Sequence, residues 1–193
     1  MDNQTSPDFV QHVLKTERLQ LHLVHPDHLI AIWRNEFDNS ALLAMGFTNP
    51  LNVLIEGHSP VRWRAPQVLA NPELNRWFIR WIVLAKTREV VGSISFHAPP
   101  NEAGMIEIGL GIEAQHRRQG YAQEALMAMW HWASQQSAVK ILRYTVSPEN
   151  LASVALVEKF GFLKVGQQID EEDGTEDIYE MSVTEFRNKM FAN

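Results

Sequence analysis

Cysteine is absent from the 193 residues. That absence excludes a disulfide framework, a thiolate metal site and a cysteine nucleophile, and it suits a reducing compartment. Long apolar runs are also missing. The richest stretch, Trp77 to Ala85, carries Arg80 and falls far short of the roughly 20 residues a helical membrane span needs. An excess of basic charge is lacking too: the formal net charge is -6, whereas a general nucleic-acid binder is usually basic. No internal repeat or low-complexity block interrupts the chain. The polar opening from Met1 to Pro7 has neither the basic nor the apolar region of a signal peptide. These absences predict one cytoplasmic domain over residues 1–193, with residues 1–14 as a loosely ordered lead-in and no nucleic-acid or membrane partner. The evenly spaced His22, His25 and His28 straddle a strand-to-helix junction and need not converge, so no metal is expected.

What is present reads as a mixed α/β pattern. Leu19, Leu21 and Leu23 alternate with polar residues inside a strand from Thr16 to Val24. Pro26-Asp27 opens a helix bearing Leu29, Ile30 and Trp33 on one face. Prolines 50, 60, 66 and 72 break the pattern between Asn39 and Asn75, which is expected to hold short helices and loops. Strands follow at Arg76 to Ala85 and Glu89 to Phe96, and a turn at Pro99 to Glu102 precedes a strand from Met105 to Glu113. In that strand Ile106, Ile108, Leu110 and Ile112 share one face, and Glu107, Gly109, Gly111 and Glu113 the other. An amphipathic helix occupies Tyr121 to Ser137, with apolar positions at Ala122, Ala125, Leu126, Met129, Trp130 and Ala133. A strand from Val139 to Val146, a helix from Asn150 to Phe160, and strands at Phe162 to Gln168 and Asp177 to Val183 complete the order. The last two are separated by the acidic turn Asp170 to Asp173. The expected architecture is α/β (α+β): a mixed, mostly antiparallel sheet of about seven strands with helices on both faces.

The unit richest in chemistry is the strand Met105–Glu113, the loop Ala114–Gly120 and the helix that follows. A helix start carries backbone N–H groups without intrahelical partners and the positive end of the macrodipole. Together they form an anion site, and a diphosphate suits it. Gly120 lets a phosphate approach the backbone, while Arg117 and Arg118 add positive charge. On spacing alone, a plain strand-to-helix turn with solvated arginines fits the same six residues. Gly109-Leu110-Gly111-Ile112-Glu113-Ala114 matches the dinucleotide pattern G-x-G-x-x-G/A, but its glycines lie inside a strand. No acid stands about 20 residues on, the span from Ala125 to Pro148 being free of Asp and Glu.

Three segments in order carry a family resemblance. Arg117-Arg118-Gln119-Gly120-Tyr121-Ala122 resembles the Arg/Gln-x-x-Gly-x-Gly/Ala loop of the GNAT acetyltransferase superfamily. Asn150-Leu151-Ala152-Ser153 followed by Glu158-Lys159-Phe160-Gly161-Phe162 is similar to the family's Asn-x-x-Ser and Glu-Lys-x-Gly-Phe segment. Thr16-Glu17-Arg18-Leu19 resembles the opening strand of the RimJ/RimL-type branch, which acetylates ribosomal-protein N-termini. The three span nearly the whole chain.

The resemblance implies transfer of acetyl from acetyl-CoA, as co-substrate, to a primary amine by direct transfer in a ternary complex. The acceptor is a protein N-terminus or a small-molecule amine. A non-catalytic sensor that binds coenzyme A is the alternative from another class, and both a monomer and a homodimer stay open. By position, the backbone at Leu110 and Ile112 would pair with the pantetheine arm. N–H groups of Arg117, Arg118, Gln119, Gly120, Tyr121 and Ala122 would hold the pyrophosphate. Asn150 would reach the pantetheine, or simply cap its helix. An attacking amine must first lose a proton. Glu107 is the candidate base, because it is a charge on a strand whose other face is wholly apolar and relatives often carry a catalytic Glu on this strand. Glu113 is a weaker candidate. Many relatives place a tyrosine acid seven residues after the Asn, but Val157 stands there. Ser153 is the candidate acid in its place, with Tyr144 and Tyr179 in reserve. Trp63, Trp77 and Trp81, with Arg62, Arg64 and Arg76, fall where the family varies its acceptor-binding segment, although core packing is the default for each Trp.

Overall fold

The computed structural model describes residues 13–55, 60–171 and 174–191. Most of the expected lead-in, and Glu172 and Asp173 of the acidic turn, lie outside the described residues. Eight strands form one sheet in the order β1-β2-β3-β4-β5-β6-β8-β7. They are β1 (Leu14–Lys15), β2 (Leu19–Leu23), β3 (Arg80–Leu84), β4 (Val90–Phe96), β5 (Met105–Ile112), β6 (Ile141–Val146), β7 (Leu163–Asp170) and β8 (Gly174–Ser182). The eighth strand is the two-residue β1, whose Leu14 belongs to the stretch read as lead-in.

Every neighbouring pair is antiparallel except β5 and β6. A parallel pair requires a crossover, which here is α4 (Tyr121–Ser134). The parallel register runs from Met105↔Ile141 to Ile108↔Tyr144 and then stops. β5 continues to Ile112, paired only with β4 on its other side. The two strands therefore part in the middle of the sheet.

Cross-strand register fixes which residues share a face. Ile106, Ile108 and Leu110 line up with Leu142 and Tyr144 on one side and with Ile94 and Phe96 on the other. This face is covered by α4, whose Trp132 stacks on Phe96 at 6.1 Å and whose Trp130 meets Tyr144 edge-on. On the opposite face lie α1 (Pro26–Trp33), α2 (Ser40–Ala44) and α3 (Val61–Ala70). There Phe47 packs on the His22 ring at 4.9 Å. α4 is helical because its buried residues, Ala125, Leu126, Met129, Trp130 and Ala133, recur at three and four residues and need a core to face.

Several elements differ from the sequence reading, among them β8, which starts at Gly174, and α4, which ends at Ser134. The strand expected from Arg76 begins at Arg80, because Asn71 accepts the Glu73 N–H and winds Pro72–Trp77 into a 3-10 turn. Pro66 sits inside α3 instead of ending it. A helix not expected at all, α6 (Val183–Phe191), follows β8. The remaining helix is α5 (Leu151–Lys159). Among the described residues no helix is long and apolar enough to cross a membrane.

Candidate active site

Between β5 and α4 the chain makes a short 3-10 turn at Ala114–His116 and then two left-handed steps, at Arg118 (φ 61°) and Gly120 (φ 81°). Arginine in that conformation is strained by about 1 kcal/mol or more. Arg117 folds the loop back by donating its Nε–H to the Ile112 carbonyl at 2.8 Å. Gly120 is the N-cap of α4 and offers no side-chain acceptor. The N–H groups of the first turn are left for something other than a cap.

They border a cavity of about 740 Å³ that opens where β5 and β6 part. Leu110 and Ile112 form one wall, and Arg117, Arg118, Gly120, Tyr121 and Ala122 form the end by α4. Asn150 and Ser153, at the start of α5, close the far side. Among the described residues no carboxylate lines the cavity, whereas two arginines and His116 do. Such a lining fits an elongated ligand with a phosphate end and an apolar arm.

Asn150 caps α5 by accepting the Ser153 N–H at 3.2 Å, so its capping role is realised at the cavity rim. Ser153 also hydrogen-bonds Tyr144, which lines the same cavity. Burial raises the Tyr144 pKa above its ordinary value, against the opposing pull of the Ser153 hydrogen bond. Val157, standing where relatives carry a tyrosine, is buried core. Tyr179 is buried and does not line the cavity.

Two of the expected site residues, one from the loop and one the candidate base, do not line this cavity. Gln119 is not part of the lining; its carbonyl accepts from Arg18 NH1 at 2.8 Å. Glu107 lies on the other face of the sheet from Leu110, just before the strands part. Its Oε1 accepts from the Thr145 hydroxyl at 2.7 Å and lies 3.2 Å from His97 Nδ1. Burial pushes its carboxyl pKa up, but the hydrogen bonds of His97 and Thr145 and the charges of His97 and Arg143 outweigh that and hold it below the ordinary value. Arg143 is itself held by Glu180 at 2.6 Å.

Arg18 is a contact that local sequence could not supply. Its Nε lies 2.7 Å from Glu124 Oε2, its ring-ward face sits 4.9 Å over Tyr121, and Thr16 Oγ1 donates to Glu124 Oε1 at 2.5 Å. Glu124, read from sequence as a complement to the helix dipole, thereby ties β1 and β2 to the phosphate-type loop. Such part-exposed pairs are worth at most about 1 kcal/mol, so Arg18→Ala is expected to fold normally. It should raise the KM for the donor by about fivefold through a looser loop, as steady-state kinetics would reveal.

The remaining sequence candidates do not line this cavity. Trp77 and Trp81 are buried, while Trp63 is exposed beneath the Arg62 guanidinium. Arg76 bonds Gln136, and Arg64 donates to the Phe96 carbonyl. His25 and His28 are 5.8 Å apart and His22 packs elsewhere, on Phe47. Among the described residues no three metal-ligating side chains gather.

Residues 18–163 match the family model of the acetyltransferase (GNAT) domain. The chain belongs to the GNAT family. It is 31% identical to the uncharacterized N-acetyltransferase YjdG of Bacillus subtilis, over 78% of this chain and 89% of that protein. Two solved structures share the GNAT fold with it. The RimL ribosomal L7/L12 alpha-N-protein acetyltransferase in complex with coenzyme A has a TM-score of 0.60 at 16% identity, covering 89% of this chain and 98% of that one. The spermidine/spermine N-acetyltransferase SpeG of Vibrio cholerae has a TM-score of 0.62 at 15% identity, covering 91% and 99%. The chain is thus an N-acetyltransferase, of a family whose acetyl donor is acetyl-CoA.

Proposed function

We propose that this GNAT enzyme acetylates the amino terminus of a peptide or protein, in a ternary complex of enzyme, acetyl-CoA and acceptor. The observation that carries the reading is the parting of β5 and β6 between a carboxylate-free, arginine-edged cavity on one side and the Glu107 carboxylate on the other. Backbone N–H groups from Arg117 to Ala122 bind the pyrophosphate, and the β5 backbone at Leu110 and Ile112 takes the pantetheine arm as an added strand. Glu107 stands behind removal of the amine proton. The Ser153–Tyr144 pair supplies the proton that the leaving thiol takes up, with Tyr144 kept protonated by its raised pKa. The Thr16-Glu17-Arg18-Leu19 segment, which ties to α4, and the shared fold with RimL support the RimJ/RimL-like branch. The cysteine-free composition suits a cytoplasmic setting.

The test is acetyl-CoA consumption against a panel of N-terminal peptides and small amines. Turnover concentrated on peptides supports the reading, and turnover confined to small amines moves the acceptor to that class. Tight coenzyme A binding with no turnover on any amine overturns it in favour of a sensor. Glu107→Gln is expected to lower kcat about 100-fold at neutral pH, with donor KM unchanged. Part of the rate should return as pH rises, because the fraction of neutral amine grows. A pH–rate profile identical to wild type removes Glu107 from the reaction.

A further inference from the structure

Glu107 is poorly placed to meet an amine directly. Its side chain is 16% exposed, and its Oε1 already faces both Thr145 and His97. The group that opens to solvent at this spot is His97, whose side chain is 44% exposed. It follows β4, and its backbone N–H donates to the Glu107 carbonyl at 2.9 Å, so the two side chains leave neighbouring strands side by side. The imidazole also reaches across the next residue of its own face: a Cβ built on Gly109 would lie 2.7 Å from His97 Nε2. Gly109 is the first β5 residue beyond the last pair with β6, Ile108↔Tyr144. The far nitrogen of the ring therefore hangs over the point where the sheet opens toward the cavity.

We propose that His97 is the catalytic base of this acetyltransferase, with Glu107 acting through it as a positioning residue; this rests on the acetyl transfer proposed above. The ionised Glu107 carboxylate accepts Nδ1–H, so that in the neutral ring Nε2 is the nitrogen free to take a proton. A carboxyl held below its ordinary pKa is a weak proton acceptor near neutrality, whereas imidazole is the side chain best matched to that pH. The charged groups around the pair are Arg64 on α3, whose charge interacts with Glu107, and Arg143 on β6, itself paired with Glu180 on β8. The balance is simple. The substrate ammonium gives one proton to His97 Nε2, and the freed lone pair forms the C–N bond to the thioester carbonyl carbon. The C–S bond breaks, and of the two protons the nitrogen sheds in all, one ends on the thiol and the other leaves through His97 to water.

A side chain at position 109 would meet the imidazole, so Gly109 leaves the ring its place over the gap.

The experiment compares wild type, His97→Gln, His97→Ala and Glu107→Gln by steady-state kinetics across pH with the best acceptor of the panel. His97→Gln is expected to lose about 100-fold or more in kcat, to lose the acid limb of its kcat profile, and to keep the donor KM within twofold. Imidazole added to the buffer should restore part of the His97→Ala rate, a rescue that a merely structural histidine would not show. Glu107→Gln should lose rate yet keep an acid limb. An unchanged limb and kcat in His97→Gln, with no imidazole rescue of His97→Ala, overturns the proposal while leaving acetyl transfer standing. A wild-type protein that binds coenzyme A and acetylates no amine overturns the transferase reading, and this one with it.

Discussion

Gly120→Glu is expected to abolish coenzyme A binding while leaving the protein folded. Gly120 holds φ at 81°, a conformation that costs an L-residue about 1–2 kcal/mol. Its Cβ would stand 3.3 Å from Arg18 NH2, so the new carboxylate would be drawn into competition with Glu124 for that guanidinium. Most of the effect is electrostatic, because a fixed negative charge would occupy the helix start that a phosphate requires. The expected loss is about 100-fold or more in Kd, equivalent to about 2.7 kcal/mol. Isothermal titration with coenzyme A measures it. Gly120→Ala carries the backbone strain without the charge, so it should lose about tenfold. Affinity retained in the glutamate variant would detach the loop from the donor altogether.

The largest loss of stability is expected from Trp130→Ala. The indole is 0% exposed and touches four rings. Phe162 is at 4.6 Å, Phe160 at 5.2 Å, and Tyr144 and Phe186 both at 6.4 Å. It thus joins α4 to β6, to the end of α5 and to α6 through a single side chain. Truncating a buried tryptophan costs about 3–5 kcal/mol, a large part of a typical total of 5–15 kcal/mol. For a chain of this size that is a fall of about 10 °C in Tm. Trp130→Phe should be far milder, for the indole Nε1 is buried without a hydrogen-bond partner among the described residues. Removing that donor leaves no acceptor stranded. Thermal melts of the two variants check both values, and equal melting temperatures would contradict the assignment of Trp130 as the joint.

The elements visible in the sequence were those whose signals are local. The loop from Arg117 to Ala122 announces itself by a glycine before an amphipathic helix, and Asn150 announces α5 as a capping residue followed by apolar spacing. Glu107 stood out as a charge on a strand whose other face is wholly apolar. What stayed hidden was long-range. Arg18 meets Glu124 across more than a hundred residues, and no pattern near either one names the other. His97 was accessible in principle. Counting back from the turn at Asn101 in an antiparallel hairpin sets it opposite Glu107, but the register depends on where that turn closes. α6 carries a readable signal that is not periodic: Ser182 and Glu185 form a reciprocal cap, each side chain accepting the other's N–H. β3 began four residues later than alternation suggested, because Asn71 and Pro72 favour a turn over an extended run.

The parting of β5 and β6 has a consequence for exchange with solvent. Among the described residues four pairs join the first five strands to the last three, and beyond them the inner edge of β5 from Gly109 to Ile112 meets no described strand. Amides that face this edge have no ladder to close them, so they should exchange with deuterium quickly in the empty enzyme and slowly once acetyl-CoA is bound. Protection would then spread into β6 and β8, because a donor lying along the edge completes the sheet that the polypeptide leaves split. On the placement proposed above the donor is a removable ninth strand, and saturating the enzyme with it is expected to act as a folding event as much as a binding one.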